Sequence, residues 1–136
     1  MTDKELVKKA MDARKHSYSP YSGFAVGAAL LCADGEVVMG CNVESAAYTP
    51  TVCAERTAFT KAVFEGKRAF VSIAIVGGKA DAETLAFCYP CGVCRQVMAE
   101  FCREDFRILI ARSATEWTET TLGALLPHRF GAADIQ

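Results

Sequence analysis

The chain has 136 residues, 51% of them apolar and 23% charged, with a formal net charge of −1. That length suits one folded domain with a real core and is too short for two, so residues 1–136 read as a single domain. The near-neutral balance, with no cluster of Lys and Arg, argues against a nucleic acid polymer as partner, and no apolar run reaches membrane-spanning length. The first residues, Met1 to Glu5, lack the basic-then-apolar order of a secretory signal. Seven cysteines are an odd number, in a chain large enough to fold without a disulfide framework. The expectation is a cytoplasmic protein whose thiols are free to bind metal or to be buried.

In chain order, residues 3–16 predict an amphipathic helix with Leu6, Ala10 and Ala13 on one face. Pro20 and Gly23 punctuate a loop over 17–23. Residues 24–32 predict a strand whose glycine hints at a close backbone approach. Asp34-Gly35 is a hairpin signal, followed by a second strand over 36–42. A helix is predicted from about Cys53 to Phe64, ending at Gly66. Residues 70–76 predict a third strand closed by Gly77-Gly78. After a long loop, Pro90 suits the first turn of a helix that runs to about Cys102. A fourth strand over 106–111 and a short helix before Pro127 complete the chain. Hairpin, helix, strand, helix and strand imply a three-layer α/β/α fold with a mixed, largely parallel sheet. Cys53 and Cys91 then both fall where a strand's carboxyl end feeds a helix, the edge at which open α/β sheets bind ligands.

Chemistry concentrates at these two helix starts. Cys91 and Cys94 have the three-residue spacing of a common zinc half-site, and Cys53 supplies a third thiol from the other helix. Three ligands leave a fourth position for water, and Glu55, two residues from Cys53, is placed to move that water's proton. A structural zinc site would use four protein ligands and gain nothing from the acid. Three thiolates make zinc a weak Lewis acid, so the charge needs an offset. Helix N-termini and the adjacent Arg56, placed to hydrogen-bond a thiolate, are the available sources. The combination is the signature of the zinc nucleobase deaminases in its all-cysteine form.

With those residues in view, the chain closely resembles the small, homotetrameric cytidine deaminases. Tyr18-Ser-Pro-Tyr-Ser-Gly-Phe-Ala-Val-Gly-Ala-Ala-Leu30 looks like the family's N-terminal signature, and Gly40-Cys-Asn-Val-Glu-Ser-Ala-Ala-Tyr48 like its ribose-binding segment. Cys53-Ala-Glu-Arg-Thr-Ala58 and Pro90-Cys-Gly-Val-Cys-Arg-Gln96 match its zinc motifs, and Leu125-Leu-Pro-His-Arg-Phe130 resembles its closing segment. The resemblance implies one Zn2+ per chain on Cys53, Cys91 and Cys94, and attack of zinc-bound hydroxide on C4 of cytidine or deoxycytidine. Glu55 would be the proton shuttle and ammonia the leaving group, in pyrimidine salvage. It also implies that Asn42 and Glu44 bind ribose hydroxyls, that Phe24 packs on the pyrimidine, and that Ala54 belongs to the substrate site. Phe130 looks like the aromatic that reaches a neighbouring subunit's site, with Ala46 and Tyr48 near that boundary.

Other readings stand beside these. Cys88 either closes the metal's fourth position or is a loop thiol. Phe24 heads a core strand, so plain packing competes, and Glu44 could be a solvated loop charge. Cys32, Cys41 and Cys102 read as buried thiols, and Arg95 and Gln96 as surface helix residues. Trp117 lies in a polar stretch and is either a surface anchor or an interface residue. Competing functions are a deaminase of a modified cytosine nucleoside such as blasticidin S, a zinc-stabilised module without catalysis, and a dithiol redox protein using Cys91 and Cys94.

Overall fold

The computed structural model describes residues 1–136. Thr2 opens the first helix, α1 (Asp3–Arg14), through a capping box with Glu5, and Leu6, Val7, Ala10 and Ala13 are buried beneath it. The Asp34-Gly35 turn, with Gly35 at φ 89, joins β1 (Phe24–Cys32) to β2 (Val37–Cys41) as an antiparallel hairpin. Then follow α2 (Ala54–Phe64), β3 (Phe70–Lys79), α3 (Gly92–Phe101), β4 (Arg107–Ala111), β5 (Trp117–Thr121) and the one-turn α4 (Leu122–Leu125). A short 3₁₀ turn at Ala132–Asp134 ends the chain.

The five strands form one sheet in the order β2-β1-β3-β4-β5. Alternation along the strands divides the core between its two faces. Ala28, Leu30, Ile73, Ile75, Ile108 and Ile110 pack with Ala58, Phe59 and Met98 of α2 and α3. Ala29, Ala74, Val76, Leu109 and Ala111 pack with Leu6, Val7 and Ala10 of α1. The three-layer α/β/α expectation therefore holds.

The expectation of a largely parallel sheet does not. Only β3 and β4 are hydrogen-bonded in parallel, while β1/β2, β1/β3 and β4/β5 are antiparallel. The crossover through α2 does join two strands of the same direction, β2 and β3. The hairpin inserts β1 between them, so that direction never becomes a parallel ladder. The polar segment Trp-Thr-Glu-Thr-Thr then returns as an edge strand that the hydrophobic pattern alone does not announce. Trp117 is partly buried and packs against the α1-side core, which disposes of the surface-anchor reading.

Two glycines let helices lie directly on the hairpin. A Cβ at Gly27 would sit 2.2 Å from the Ala10 carbonyl oxygen, and one at Gly40 2.5 Å from that of Ala54. The first contact seats α1 and the second seats the start of α2. The close approach suggested by the glycine in β1 is thus a real helix-on-strand contact. β3 also runs past Gly77-Gly78 to Lys79, because those residues remain paired with Val26 and Ala25 of β1.

Candidate active site

Cys53 and Cys91 are the N-cap residues of α2 and α3, each in extended conformation and neither using its side chain to cap its helix. Cys91 therefore precedes the first turn expected to contain it, and Pro90 stands one residue further out. Cys94 lies inside the first turn of α3 and is 1% exposed. The Cys53–Cys91 and Cys91–Cys94 sulfur separations are 3.7 and 3.5 Å. Zn–S bonds of about 2.3 Å at tetrahedral angles place sulfurs ~3.8 Å apart, so the donor set fits zinc in both chemistry and spacing. All three sulfurs lie within 4.8 Å of one another, and Cys88 is outside the group. Its sulfur packs over Gly77 instead, where an added Cβ would come within 2.8 Å.

The electrostatics follow from hydrogen bonds among the thiols, burial and one arginine. Cys53 is held down to about 5, first by the Cys94 thiol hydrogen-bonded to it and then by Arg56, which outweigh its burial. Cys94 is correspondingly raised, by that same bond and by burial. Arg56 donates from one terminal nitrogen to the Cys53 Sγ at 3.6 Å and to the Thr51 carbonyl at 3.3 Å.

Glu55, in the first turn of α2, is 4% exposed. Burial pushes its carboxyl up to about 7, helped by the negative charge of Cys53 and opposed by its own backbone N–H. It lines a cavity of about 250 Å³ together with Cys53, Cys91, Phe24, Asn42 and Glu44. Phe24 is 38% exposed there, so it faces the cavity and not the core. Asn42 Oδ1 accepts from the Val26 N–H at 2.9 Å and from the Ser17 hydroxyl, while Nδ2 donates to the Phe24 carbonyl at 2.7 Å. Glu44 Oε1 accepts the Tyr21 and Ser22 N–H groups at 3.0 and 3.1 Å, and Oε2 accepts the Ser22 hydroxyl. Those bonds, Ser22's first, hold its carboxylate below the usual range, which is not the behaviour of a free solvated charge.

Comparison with known proteins agrees with this geometry. Residues 1–110 match the family model described as the cytidine and deoxycytidylate deaminase zinc-binding region. The chain belongs to the cytidine and deoxycytidylate deaminase family. It is 48% identical over 130 residues to the cytidine deaminase of Halalkalibacterium halodurans, covering 96% of this chain and 95% of that one. It is 44% identical over 135 residues to that of Sporosarcina psychrophila, covering 99% and 96%. The crystal structure of cytidine deaminase from Burkholderia pseudomallei superposes with a TM-score of 0.87 at 42% identity, covering 96% of this chain and all of that one.

Within this deaminase fold the remaining expected residues are more scattered. Ala54 is fully buried in the α2-side core, so its side chain does not line the cavity. Ala46 and Tyr48 are exposed. Tyr48, with φ 62, lines a neighbouring hollow of about 380 Å³ that shares Ser22, Glu44 and Thr51 with the deaminase cavity. Phe130 is 59% exposed and is not part of this chain's own cavity wall.

Arg95 and Gln96 are not idle surface residues. Arg95 donates to the Pro90 and Leu125 carbonyls at 2.7 Å, and Gln96 donates to the Phe130 carbonyl at 2.8 Å. The helix bearing two of the thiols thus pins the C-terminal segment. Sequence reading also passes over Ser22, Thr51 and Tyr89, all in the cavity wall. Their adjacency to the signature and zinc motifs is the available signal.

Arg56→Ala is expected to leave the fold intact and to weaken zinc retention about 10- to 100-fold, the scale for losing a hydrogen bond to a metal ligand. Competition against a chelating dye measures it. Retention equal to that of the unsubstituted protein removes Arg56 from the metal's support.

Proposed function

We propose that the chain deaminates cytidine and deoxycytidine hydrolytically, releasing ammonia and leaving uridine or deoxyuridine. The observation that carries the reading is a buried carboxyl poised near neutrality beside three zinc-spaced thiols, in a cavity that also presents Asn42 and Glu44. Zinc on Cys53, Cys91 and Cys94 supplies a water acidified toward neutral pH.

Glu55 takes the proton from the attacking water as its oxygen bonds to C4, and passes it to N3 of the pyrimidine. It then takes the second proton from the new C4 hydroxyl and delivers it to the amino group as the C4–N4 bond breaks, so that C4 becomes the carbonyl and ammonia leaves. A group that titrates near 7 can act in both directions at neutral pH. Phe24 offers a ring face to the base.

The sugar-facing groups support a one-hydroxyl contact. Asn42 has both Oδ1 acceptor positions and one Nδ2 hydrogen engaged, which leaves one donor. Glu44 has three of its acceptor positions filled, which leaves one on Oε2. One donor and one acceptor are what a single hydroxyl uses, so ribose and deoxyribose are both acceptable when that hydroxyl is common to them.

The near-full-length similarity to proteins named cytidine deaminases does not favour the modified-nucleoside alternative, and the buried carboxyl argues against a non-catalytic zinc module. The reading includes a role in pyrimidine salvage in the cytoplasm. It also includes a homotetramer in which Phe130, held through Gln96, reaches a neighbouring site near Ala46 and Tyr48. No helix is long and apolar enough to cross a membrane.

Ultraviolet-monitored incubation with cytidine, deoxycytidine and free cytosine tests the proposal. The two nucleosides are expected to shift to the uracil spectrum, while cytosine is slower by at least ~100-fold in kcat/KM because the sugar-binding groups go unpaired. Cytosine turnover matching that of cytidine would sink the sugar contact. No turnover of either nucleoside by zinc-loaded protein would sink the substrate assignment.

A further inference from the structure

The loop before β1 is organised around Ser22. Its hydroxyl accepts the Phe24 N–H at 2.9 Å and bonds to Glu44 Oε2, while its own N–H reaches Glu44 Oε1 at 3.1 Å. Its carbonyl accepts from Lys79 Nζ at 2.7 Å, which ties the loop to the end of β3. Gly23, at φ 67, makes the turn that aims both residues at the cavity.

The direction of the hydroxyl proton follows from its partners. An N–H can only donate and a carboxylate can only accept, so the single Ser22 proton is directed to Glu44. Phe24 N–H, Ser22 Oγ–H and Glu44 Oε2 form an oriented chain from the residue facing the base to the residue facing the sugar. Ser22 lines both the deaminase cavity and the adjoining hollow, yet its proton is committed. Without it, Glu44 keeps only the two N–H bonds on Oε1, leaving Oε2 with nothing to fix its direction.

We propose that Ser22 is a positioning residue for substrate. Resting on the sugar-binding reading of Glu44 above, it holds that carboxylate so that one Oε2 acceptor position faces the nucleoside hydroxyl. Ser22 acts through Glu44 and not on the sugar directly. The role explains why a serine of an otherwise turn-forming segment stands beside Glu44, 22 residues later in the chain.

A double-mutant cycle in cytidine deamination tests this, using Ser22→Ala, Glu44→Gln, the pair, and Ser22→Thr. Ser22→Ala is expected to raise KM about tenfold, the scale of one hydrogen bond to a charged group, with kcat changed by less than about twofold. Ser22→Thr, which keeps the hydroxyl, is expected to restore most of the loss. In the Glu44→Gln background, Ser22→Ala is expected to add less than about twofold, because the group it orients is already altered. A full tenfold loss in that background overturns the proposal. Unfolding of Ser22→Ala, or a fall in kcat with KM unchanged, overturns it too, since the residue would then hold the loop or the chemistry. Failure of the unsubstituted protein to use cytidine is a separate result and refutes the substrate assignment.

Discussion

Glu55→Gln is expected to lower kcat by roughly 10² to 10⁴, the contribution of a positioned acid–base group, while the protein still folds and binds one zinc. The amide has the carboxyl's shape but cannot take a proton from water or return one to the leaving amine. Stability should move the other way. Glu55 is 4% exposed and its carboxyl is pushed up to about 7, chiefly by burial. A carboxyl whose folded value lies above its unfolded one contributes stability that is present in full below about pH 4.5 and lost as pH rises through 7. Measured against zinc-free Glu55→Gln, in which Cys53 still titrates, the zinc-free protein should therefore lose on the order of 2–3 kcal/mol between those limits. Thermal unfolding at pH 5 and pH 7.5 beside zinc analysis and kinetics reads all three. Retained turnover would falsify the proton-shuttle role. Equal pH dependence in both proteins would show that the carboxyl is solvated.

Cys94→Ala should lose zinc and activity together, whereas Cys88→Ser should keep one zinc per chain. Cys94 is 1% exposed in the first turn of α3, with its sulfur 3.5 Å from that of Cys91. No other thiol can replace it, because Cys88 packs over Gly77 outside the three-sulfur group. Loss of a ligand should exceed the ~10–100-fold penalty for losing a hydrogen bond to one. Zinc also joins the starts of α2 and α3, so Cys94→Ala should melt below the zinc-loaded protein and respond little to added metal. Full zinc in Cys94→Ala would reject the three-thiol site. Zinc loss in Cys88→Ser would make the site four-coordinate and structural, leaving no position for water.

Much of this site is legible locally. Cys91 and Cys94 are separated by one helical turn, and Cys53 stands beside Glu55, so their types and spacing show in the sequence. The starts of α2 and α3 are equally readable, because apolar periodicity and the flanking Pro and Gly are local signals. The fifth strand is less so. Its threonines favour extended chain, but polar alternation at an edge gives no burial signal to anchor it. Arg95 and Gln96 look like surface residues because their carbonyl partners, Leu125 and Phe130, lie about thirty residues away.

By itself, then, the sequence determines the three-layer class, the three thiols, the acid beside them and the resemblance that joins them. Each rests on residue type at short separation, where geometry follows from one helix turn or one hairpin. Tertiary structure alone decides the insertion of β1 between β2 and β3, the exclusion of Cys88, the burial that brings Glu55 near neutrality, and the serine that orients Glu44. Those depend on which distant segments become neighbours. Strand order and helix seating set that juxtaposition, and no local period encodes them.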